Sequence, residues 1–431
     1  MKKYDGKRLL MLGSNTMSCE LVEYAKQNGA HVTVTDYLPI EKSPAKQLAD
    51  EVLYVSTADI DTLAEYCRRE RIDGVFAGIS EFNLIQARKL SESLGLRFYF
   101  NEDQWDLIEK KDRFKALCRD YSVQTPREWF SGSEAEFERF DKAYLRYPLV
   151  VKPVDGSSSQ GVTICETADA LLQAVSDAFE VSASQQIIIE EFVQGHEFTA
   201  HYTICRGKAA LACVDNRYPV ALHVGSVTTV PIARVYPALF QKRFVQIVGP
   251  RLTALCEGIG LDTAIIFFQG LYDDRRDAFY IFEAGLRSAA EAPCRFLERI
   301  TGQNQVFMLL DYILLGTATY ALGLEKPDLD GKCCAIVSFA SAGGVVAEIR
   351  GLEAVRSLPE VIQIENRYPV GSTVPTGDSL RQIMLRFVIV TESREALARV
   401  IERINAAVHA TDAQGNDMLI GMEPKRVFGF L

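Results

Sequence analysis

Basic residues are in deficit: 47 Lys and Arg stand against 57 Asp and Glu, a formal net charge of −10. Nucleic acid and anionic membranes need a basic face to displace counterions, so neither is expected as a partner. Histidine is scarce at five residues, without HExxH or HxH, and a histidine-built zinc site is not expected. The ten cysteines form no CxxC pair, and the adjacent Cys333 and Cys334 have a spacing that metal sites rarely use. Such usage suits a reducing compartment, so a cytoplasmic protein is expected. No stretch reaches the ~18 apolar residues of a membrane span. The apolar run Leu9–Leu12 behind the basic start is far shorter than a signal-peptide core. GxSxG is absent, as is a convincing Cys-His nucleophile motif.

What is present is apolar material for sizeable cores: 48% of the residues are hydrophobic and 24% charged. A chain of 431 residues exceeds what one core sustains, and two or three lobes are expected. Residues 7–100 alternate short apolar runs with helical periods: Arg8–Leu12, Met17–Asn28 and His31–Thr35, then strands at Glu51–Val55, Gly74–Ala77 and Arg97–Phe100. That rhythm predicts βαβ units around a parallel sheet. Helices are predicted at Asp103–Lys111 and Arg113–Tyr121, closed by Thr125-Pro126. From Pro148 the pattern becomes strand, Gly/Ser loop, strand, then a helix over 167–180 and a strand over Gln186–Phe192. Strands follow at Thr199–Cys205, Ala209–Asp215, Thr263–Tyr272 and Phe279–Glu283, helices over 290–323, and an α+β tail over 332–431. No internal repeat is visible.

The most informative stretch is YPLVVKPVDGSSSQGV, residues 147–162, which sets Lys152 at a strand end before a loop of small residues. Small side chains let backbone N–H groups approach phosphate oxygens, and an ammonium supplies a compact countercharge. IIIEEFVQGHEFT follows at 187–199, then Gln269, then IFEAGLR at 281–287. Read singly, each has a bland alternative. Lys110, Lys111 and Lys115 also suit a solvated helix face, Glu190 and Glu191 an edge-strand charge pair, and Arg287 a structural salt bridge. The segment GSNTMS, Gly13–Ser18, followed by Asp36 at the end of the next strand, invites a dinucleotide reading, but the second and third glycines of GxGxxG are missing.

In this order the motifs resemble the ATP-grasp superfamily, in which two α+β subdomains close on a nucleotide, and the resemblance runs the length of the chain. It implies a Rossmann-like domain over 1–105 and an ATP-grasp domain over 106–325, with a nucleotide lobe at about 125–197 and a metal and substrate lobe at about 198–325. A C-terminal α+β domain completes 326–431. It further implies that Lys111 and Lys152 contact phosphate, and that Gly156 to Gly161, with Ser157, Ser158 and Ser159, cover it. Glu190, Glu191, Phe192 and Val193 would form the adenine-binding strand, and Glu197 would accept the ribose hydroxyls. Glu283 and Gln269 would hold Mg²⁺, a hard cation that needs few protein oxygens beside phosphates and water. Most members continue Glu-x-Asn-x-Arg, whereas Gly285 stands here in place of the asparagine. Arg287 would face the transferred phosphate or the substrate carboxylate, with His223, Glu81, Asn83, Arg217 and Arg234 near the acceptor pocket.

The implied activity is that of an ATP- and Mg²⁺-dependent ligase, with Mn²⁺ as a substitute, which activates a small-molecule carboxylate as an acyl phosphate and joins it to an amine. Arg287 and Lys152 would be the residues at the reacting groups. A carboxyphosphate- or carbamate-forming enzyme and a non-catalytic ATP-binding regulator are the alternatives. Homodimers are common in proteins of this resemblance.

Overall fold

Four buried apolar residues in a row, Leu9–Leu12, suit a strand covered on both faces, and the structure places them there. The computed structural model describes residues 2–155, 161–222, 230–377 and 380–429. Strands β1 (Arg8–Leu12), β2 (His31–Thr35), β3 (Glu51–Leu53) and β4 (Gly74–Phe76) form a parallel sheet in the order β3-β2-β1-β4. The helices that follow β1 and β4, Thr16–Gln27 and Glu81–Ser93, begin at Asn15 and Ser80, whose side chains accept from the N–H of Ser18 and Asn83. Arg97–Phe100, expected as a further strand, is irregular. Tyr99 packs edge-on to Phe76 and Phe100 stacks on Trp105, with ring centroids 6.1 and 4.8 Å apart, so side-chain packing holds the segment without a ladder. Helices Glu102–Glu109 and Lys111–Asp120 then carry the chain out of the first sheet.

Two antiparallel sheets follow. Strands β5 (Glu128–Gly132), β6 (Leu149–Pro153), β7 (Thr163–Cys165) and β8 (Ile187–Glu191) have the order β5-β8-β6-β7 and are backed by the helix Ala168–Val181. Leu149, Val151, Leu171, Ile187 and Ile189 give this lobe a core of its own. Strands β9 (His196–Cys205) and β10 (Lys208–Val214) belong to the second sheet. The next two strands, β11 (Asn216–Val220) and β12 (Val230–Tyr236), leave it, and β13 (Ala264–Asp273) and β14 (Ala278–Gly285) complete it in the order β10-β9-β13-β14. This sheet shares a core with the N-terminal sheet, through residues such as Leu10, Phe76, Ile266, Phe268 and Leu309.

Strands β11 and β12 instead pair with β15 (Cys333–Ala340), β16 (Val361–Asn366) and β17 (Ile383–Thr391), in the order β11-β12-β15-β17-β16. The C-terminal sheet therefore draws two strands from inside 198–325. The helical stretch expected over 290–323 is two helices, Cys294–Thr301 and Gln305–Leu315. They are broken at Gly302, where φ is +73°, a conformation glycine adopts without strain. The fold is α/β in its Rossmann-like N-terminal part and α+β in the two-lobed centre and the C-terminal part. Among the described residues no helix is long and apolar enough to cross a membrane.

A buried charge network fastens β12 to the second sheet. Arg234, 4% exposed, donates through Nη1 to Asp215 Oδ2 at 2.8 Å and Thr199 Oγ1 at 2.6 Å, and its Nε lies 3.0 Å from Glu291 Oε1. Removing one member of a buried ion network strands the others, which costs about 3 to 5 kcal/mol. Arg234→Ala is expected to lower stability by that amount in urea denaturation. A loss within measurement error would mean that solvent replaces the guanidinium.

Candidate functional site

Three lysines converge on the lobe of β5 to β8. Lys111 opens its helix and donates to the Val154 carbonyl at 2.9 Å, at the root of the loop that follows β6. Lys115, one turn on and 4% exposed, pairs with Glu128 at 2.9 Å and with Glu190. Lys152, 7% exposed, reaches the other Glu190 oxygen at 2.5 Å. Glu190 therefore does not belong to an edge-strand charge pair: β8 is flanked by β5 and β6, and Glu190 stands opposite Glu128 and Val150. Nor is Lys115 on a solvated face. Burial alone would raise the Glu190 carboxyl, but the Lys152 and Lys115 ammonium groups outweigh it and hold it below its ordinary value. Burial, then the neighbouring Lys152, lowers Lys111.

Downstream of Glu190 the Glu191 carboxylate accepts from the Arg127 N–H at 2.9 Å, and the Phe192 N–H donates to Pro148 O at 3.1 Å. Phe192 is 37% exposed, and the Val193 N–H has no acceptor among the described residues. Glu197, on β9, is paired with Arg217 of β11. Gly161, at φ +69°, packs against Pro153 and Val181. Gly156, Ser157, Ser158, Ser159 and His223 lie outside the described residues.

The second sheet supplies the acids. Gln269 and Glu283 are directly opposite one another on β13 and β14, so both side chains share a face. Glu283 opens to solvent yet is surrounded by protein on most sides, as a group at the floor of a cleft would be. That enclosure raises its carboxyl above the ordinary value, against the pull of Lys111, Lys152 and Arg287. The lysines of the first lobe and this carboxylate thus sense one another across the gap. Arg287, just beyond β14, binds Glu81 through Nε at 3.1 Å and through Nη2, so these two expected substrate residues occupy each other. Glu81 begins a helix at the carboxyl end of the parallel sheet, which is where open α/β sheets take ligands.

Glu109 joins this group without any motif having marked it. Its Oε1 accepts from the Leu286 N–H at 3.2 Å, and burial, followed by the Glu81 charge, pushes its carboxyl up to about 8. Position was its signal: it is the last residue of the helix before Lys111. The dinucleotide reading finds no support. Asp36 is consumed by the Leu38 N–H at 2.8 Å, Ser43 Oγ at 2.7 Å and Lys46 Nζ at 2.9 Å. A Cβ at Gly13 would meet Asn83 Nδ2 at 2.2 Å, so Asn83 fills the space above that turn. Arg234 is locked in its buried network and Arg217 on Glu197. A cavity of about 480 Å³ lined by Lys7, Asp73 and Arg97 lies at the amino end of the parallel sheet, away from these residues.

Two known families match in part: that described as PylC-like, N-terminal domain over residues 9–95, and that described as D-ala D-ala ligase C-terminus over residues 116–210. Among curated relatives, the formate-dependent phosphoribosylglycinamide formyltransferase of Prochlorococcus marinus subsp. pastoris is 28% identical over 201 residues, 46% of this chain and 50% of that protein. The enzyme of that name from Synechocystis sp. is 30% identical over 189 residues, 43% of this chain and 47% of that protein. The chain spans about half the length of the curated relatives it matches. The L-amino acid ligase from Bacillus licheniformis superposes with a TM-score of 0.76 at 18% identity, covering 95% of this chain and 99% of that one. N5-carboxyaminoimidazole ribonucleotide synthetase from Thermotoga maritima gives 0.66 at 16%, covering 94% and 99%. The chain has the ATP-grasp fold, and the resemblance read from its motifs holds at that level. The matched segments contain Glu81, Lys152, Glu190–Val193 and Glu197, and leave out Lys111, Gln269, Glu283 and Arg287.

His201, opposite Phe267 on the cleft-facing side of β9, is 2% exposed, and its Nε2 has no partner among the described residues. Burial, then Arg234, pushes the imidazole down to about 3. The unfolded chain takes up this proton near pH 6.5 and the folded one does not, so the group's contribution is complete above about 6.5 and is lost as pH falls. The loss amounts to about 1.4 kcal/mol per pH unit. His201→Leu is expected to flatten the decline in Tm between pH 6.5 and 5, and an unchanged slope would show that His201 is protonated in the folded state.

Proposed function

We propose that the chain is an ADP-forming ligase that uses ATP to activate a carboxylate and joins it to an amine. The observation that carries this reading is the convergence of Lys111 from the connecting helix and Lys152 from the first lobe with Glu283, Gln269 and Arg287 from the second. Cations on one wall and hard oxygens on the other are what a metal-bound triphosphate requires. The Lys111 and Lys152 ammonium groups would bind its phosphates, and the Glu191 carbonyl and Val193 N–H the adenine edge. Glu197 would share its carboxylate between Arg217 and a ribose. Glu283 and Gln269 would hold Mg²⁺, or Mn²⁺ in its place, which neutralises phosphate charge when bound. A carbonyl-type oxygen and a carboxylate side by side on neighbouring strands fit a hard cation.

In this reading a carboxylate oxygen of the acid attacks the γ-phosphorus, the bond to ADP breaks, and an acyl phosphate forms. The amine nitrogen then attacks the acyl carbon, the carbon–oxygen bond to phosphate breaks, and the nitrogen gives up its proton to solvent. Arg287 steadies the phosphate or carboxylate oxygens, and its present partner Glu81 marks where the acceptor enters. The ligase type is supported by the fold shared with the L-amino acid ligase. A carboxyphosphate-forming reaction is the second reading: a biotin carboxylase domain described with MgADP and bicarbonate superposes at a TM-score of 0.75 and 14% identity. We place the chain in the cytoplasm, since all ten cysteines are free, and take a homodimer as its working state.

Phosphate release measured across pairs of amino acids and small carboxylates, against bicarbonate alone, tests the reading. Amine-dependent release supports it, bicarbonate-dependent release favours the second reading, and ATP binding without release of either kind would make the chain a regulator. Lys152→Ala is expected to lower kcat/KM about 10²- to 10³-fold, the scale for losing one group that stabilises developing charge. Glu283→Ala is expected to abolish turnover while Tm moves little, because its ionised form is already disfavoured in place. Turnover at the wild-type rate would remove Glu283 from the site.

A further inference from the structure

Gly285 stands where a third metal-facing side chain would project, on the same face as Glu283 and two residues on. Directly opposite it on β13 is Phe267, two residues before Gln269. A Cβ at Gly285 would lie 2.4 Å from Phe267 Cζ and 2.6 Å from Cε1, so the ring occupies the volume that any side chain at 285 needs. Phe267 is 5% exposed, and the Arg287 guanidinium sits over its ring at 5.1 Å from the centroid. The face therefore reads Gln269 and Glu283 in one rank, Phe267 and Gly285 in the next, with Arg287 above the ring.

We propose that Phe267 takes the place of a ligand at 285, so that this site holds a single divalent cation with the nucleotide, and that its ring positions Arg287 to supply the remaining positive charge beside the γ-phosphate. The inference rests on the nucleotide reading above. Glu283 and Gln269 are the hard oxygens of this face, and they suffice for one cation whose other positions go to phosphate and water. A second cation would need an oxygen in the rank of Phe267 and Gly285, and that rank is carbon. Among the described residues no group of three or more His, Cys, Asp or Glu forms an alternative cation site. A guanidinium over an aromatic face is attracted by the ring quadrupole and loses freedom of movement, which suits a fixed charge.

The test counts Mn²⁺ bound by the full chain in the presence of saturating AMP-PNP, by electron paramagnetic resonance of free Mn²⁺. One Mn²⁺ per bound AMP-PNP is expected for the wild type, and a second for the Phe267→Ala/Gly285→Asn double variant. Two on the wild type would overturn the proposal. For the positioning role, Phe267→Leu is expected to weaken AMP-PNP binding about 2- to 30-fold, the range for one cation–π contact. ADP binding should hold steady, because only the γ-phosphate is at issue. Equal losses for AMP-PNP and ADP, or no loss, would overturn it. The packing is read without nucleotide: Gly285→Ala is expected to lower Tm, and Phe267→Ala in the same chain to restore part of the loss. A tolerated Gly285→Ala would sink the proposal. Failure of AMP-PNP to bind the wild type at all would instead sink the nucleotide reading.

Discussion

The carboxylate of Glu190, buried between two ammonium groups, is the interaction on which the arrangement of the site depends. An isolated charge at that depth costs several kcal/mol, so β8, β6 and the helix Lys111–Asp120 must stay in register for Glu190 to keep both Lys152 and Lys115. Through Lys115 the network ties the connecting helix to the first lobe. The same helix begins at Lys111, which reaches the end of β6. One buried acid therefore fixes where two cleft lysines stand. In the ligase reading proposed above, Lys152 is already held by Glu190 and meets an arriving phosphate without the side chain being rebuilt.

Charge is divided between lobes with separate cores. The first lobe brings Lys152, and the connecting helix, whose Phe114 and Leu117 share the core of the second sheet, brings Lys111; the second sheet brings Glu283, with Glu109 and Glu81 behind it. Before a ligand arrives, the raised carboxyls of Glu283 and Glu109 and the lowered Lys111 record how poorly each charge is solvated. A ligand carrying both signs, polyanion and cation together, relieves both walls at once. A bare anion would satisfy only the lysines. The small core of the first lobe is distinct from the core that joins the second sheet to the N-terminal sheet, and the buried pair Lys115–Glu190 spans the two.

Much of this was legible from residue order. The parallel sheet followed from the apolar run Leu9–Leu12 and the β-branched run Val32–Thr35, and the Lys152 strand and its loop from a local change to Gly and Ser. Gln269 and Glu283 could be paired because a polar turn lies between their strands. What was not legible depends on long-range packing. Nothing in the local pattern distinguishes a solvated Lys115 from one that meets Glu190 some 75 positions later, and charge sequence alone cannot assign Glu190 to an interior strand. Arg97–Phe100 has strand composition, but its aromatics found Phe76 and Trp105 before any ladder. The departure of β11 and β12 into the C-terminal sheet was equally hidden, since neither the mixed Asn216–Val220 nor the nearly continuous apolar Val230–Tyr236 specifies its partner.

That departure also explains why a chain with ordinary composition can bury so many charges beside its cleft. Strand β12 brings Arg234 against Thr199 and Asp215 of the second sheet, and Glu291 closes the network from the segment just after Arg287. Arg386, on β17 of the same sheet, donates to the Ala290 carbonyl at 2.9 Å, and Glu365 accepts from Thr16 of the N-terminal lobe at 2.7 Å. The backbone behind Arg287 is thus gripped by residues from distant parts of the sequence. Hydrophobic packing alone would leave residues 286–292 free to slide, because apolar contact is not directional. Paired and hydrogen-bonded charges set distance and orientation, and they do so at the segment that carries the Arg287 guanidinium. Stability is lost to desolvation there, and geometry is gained.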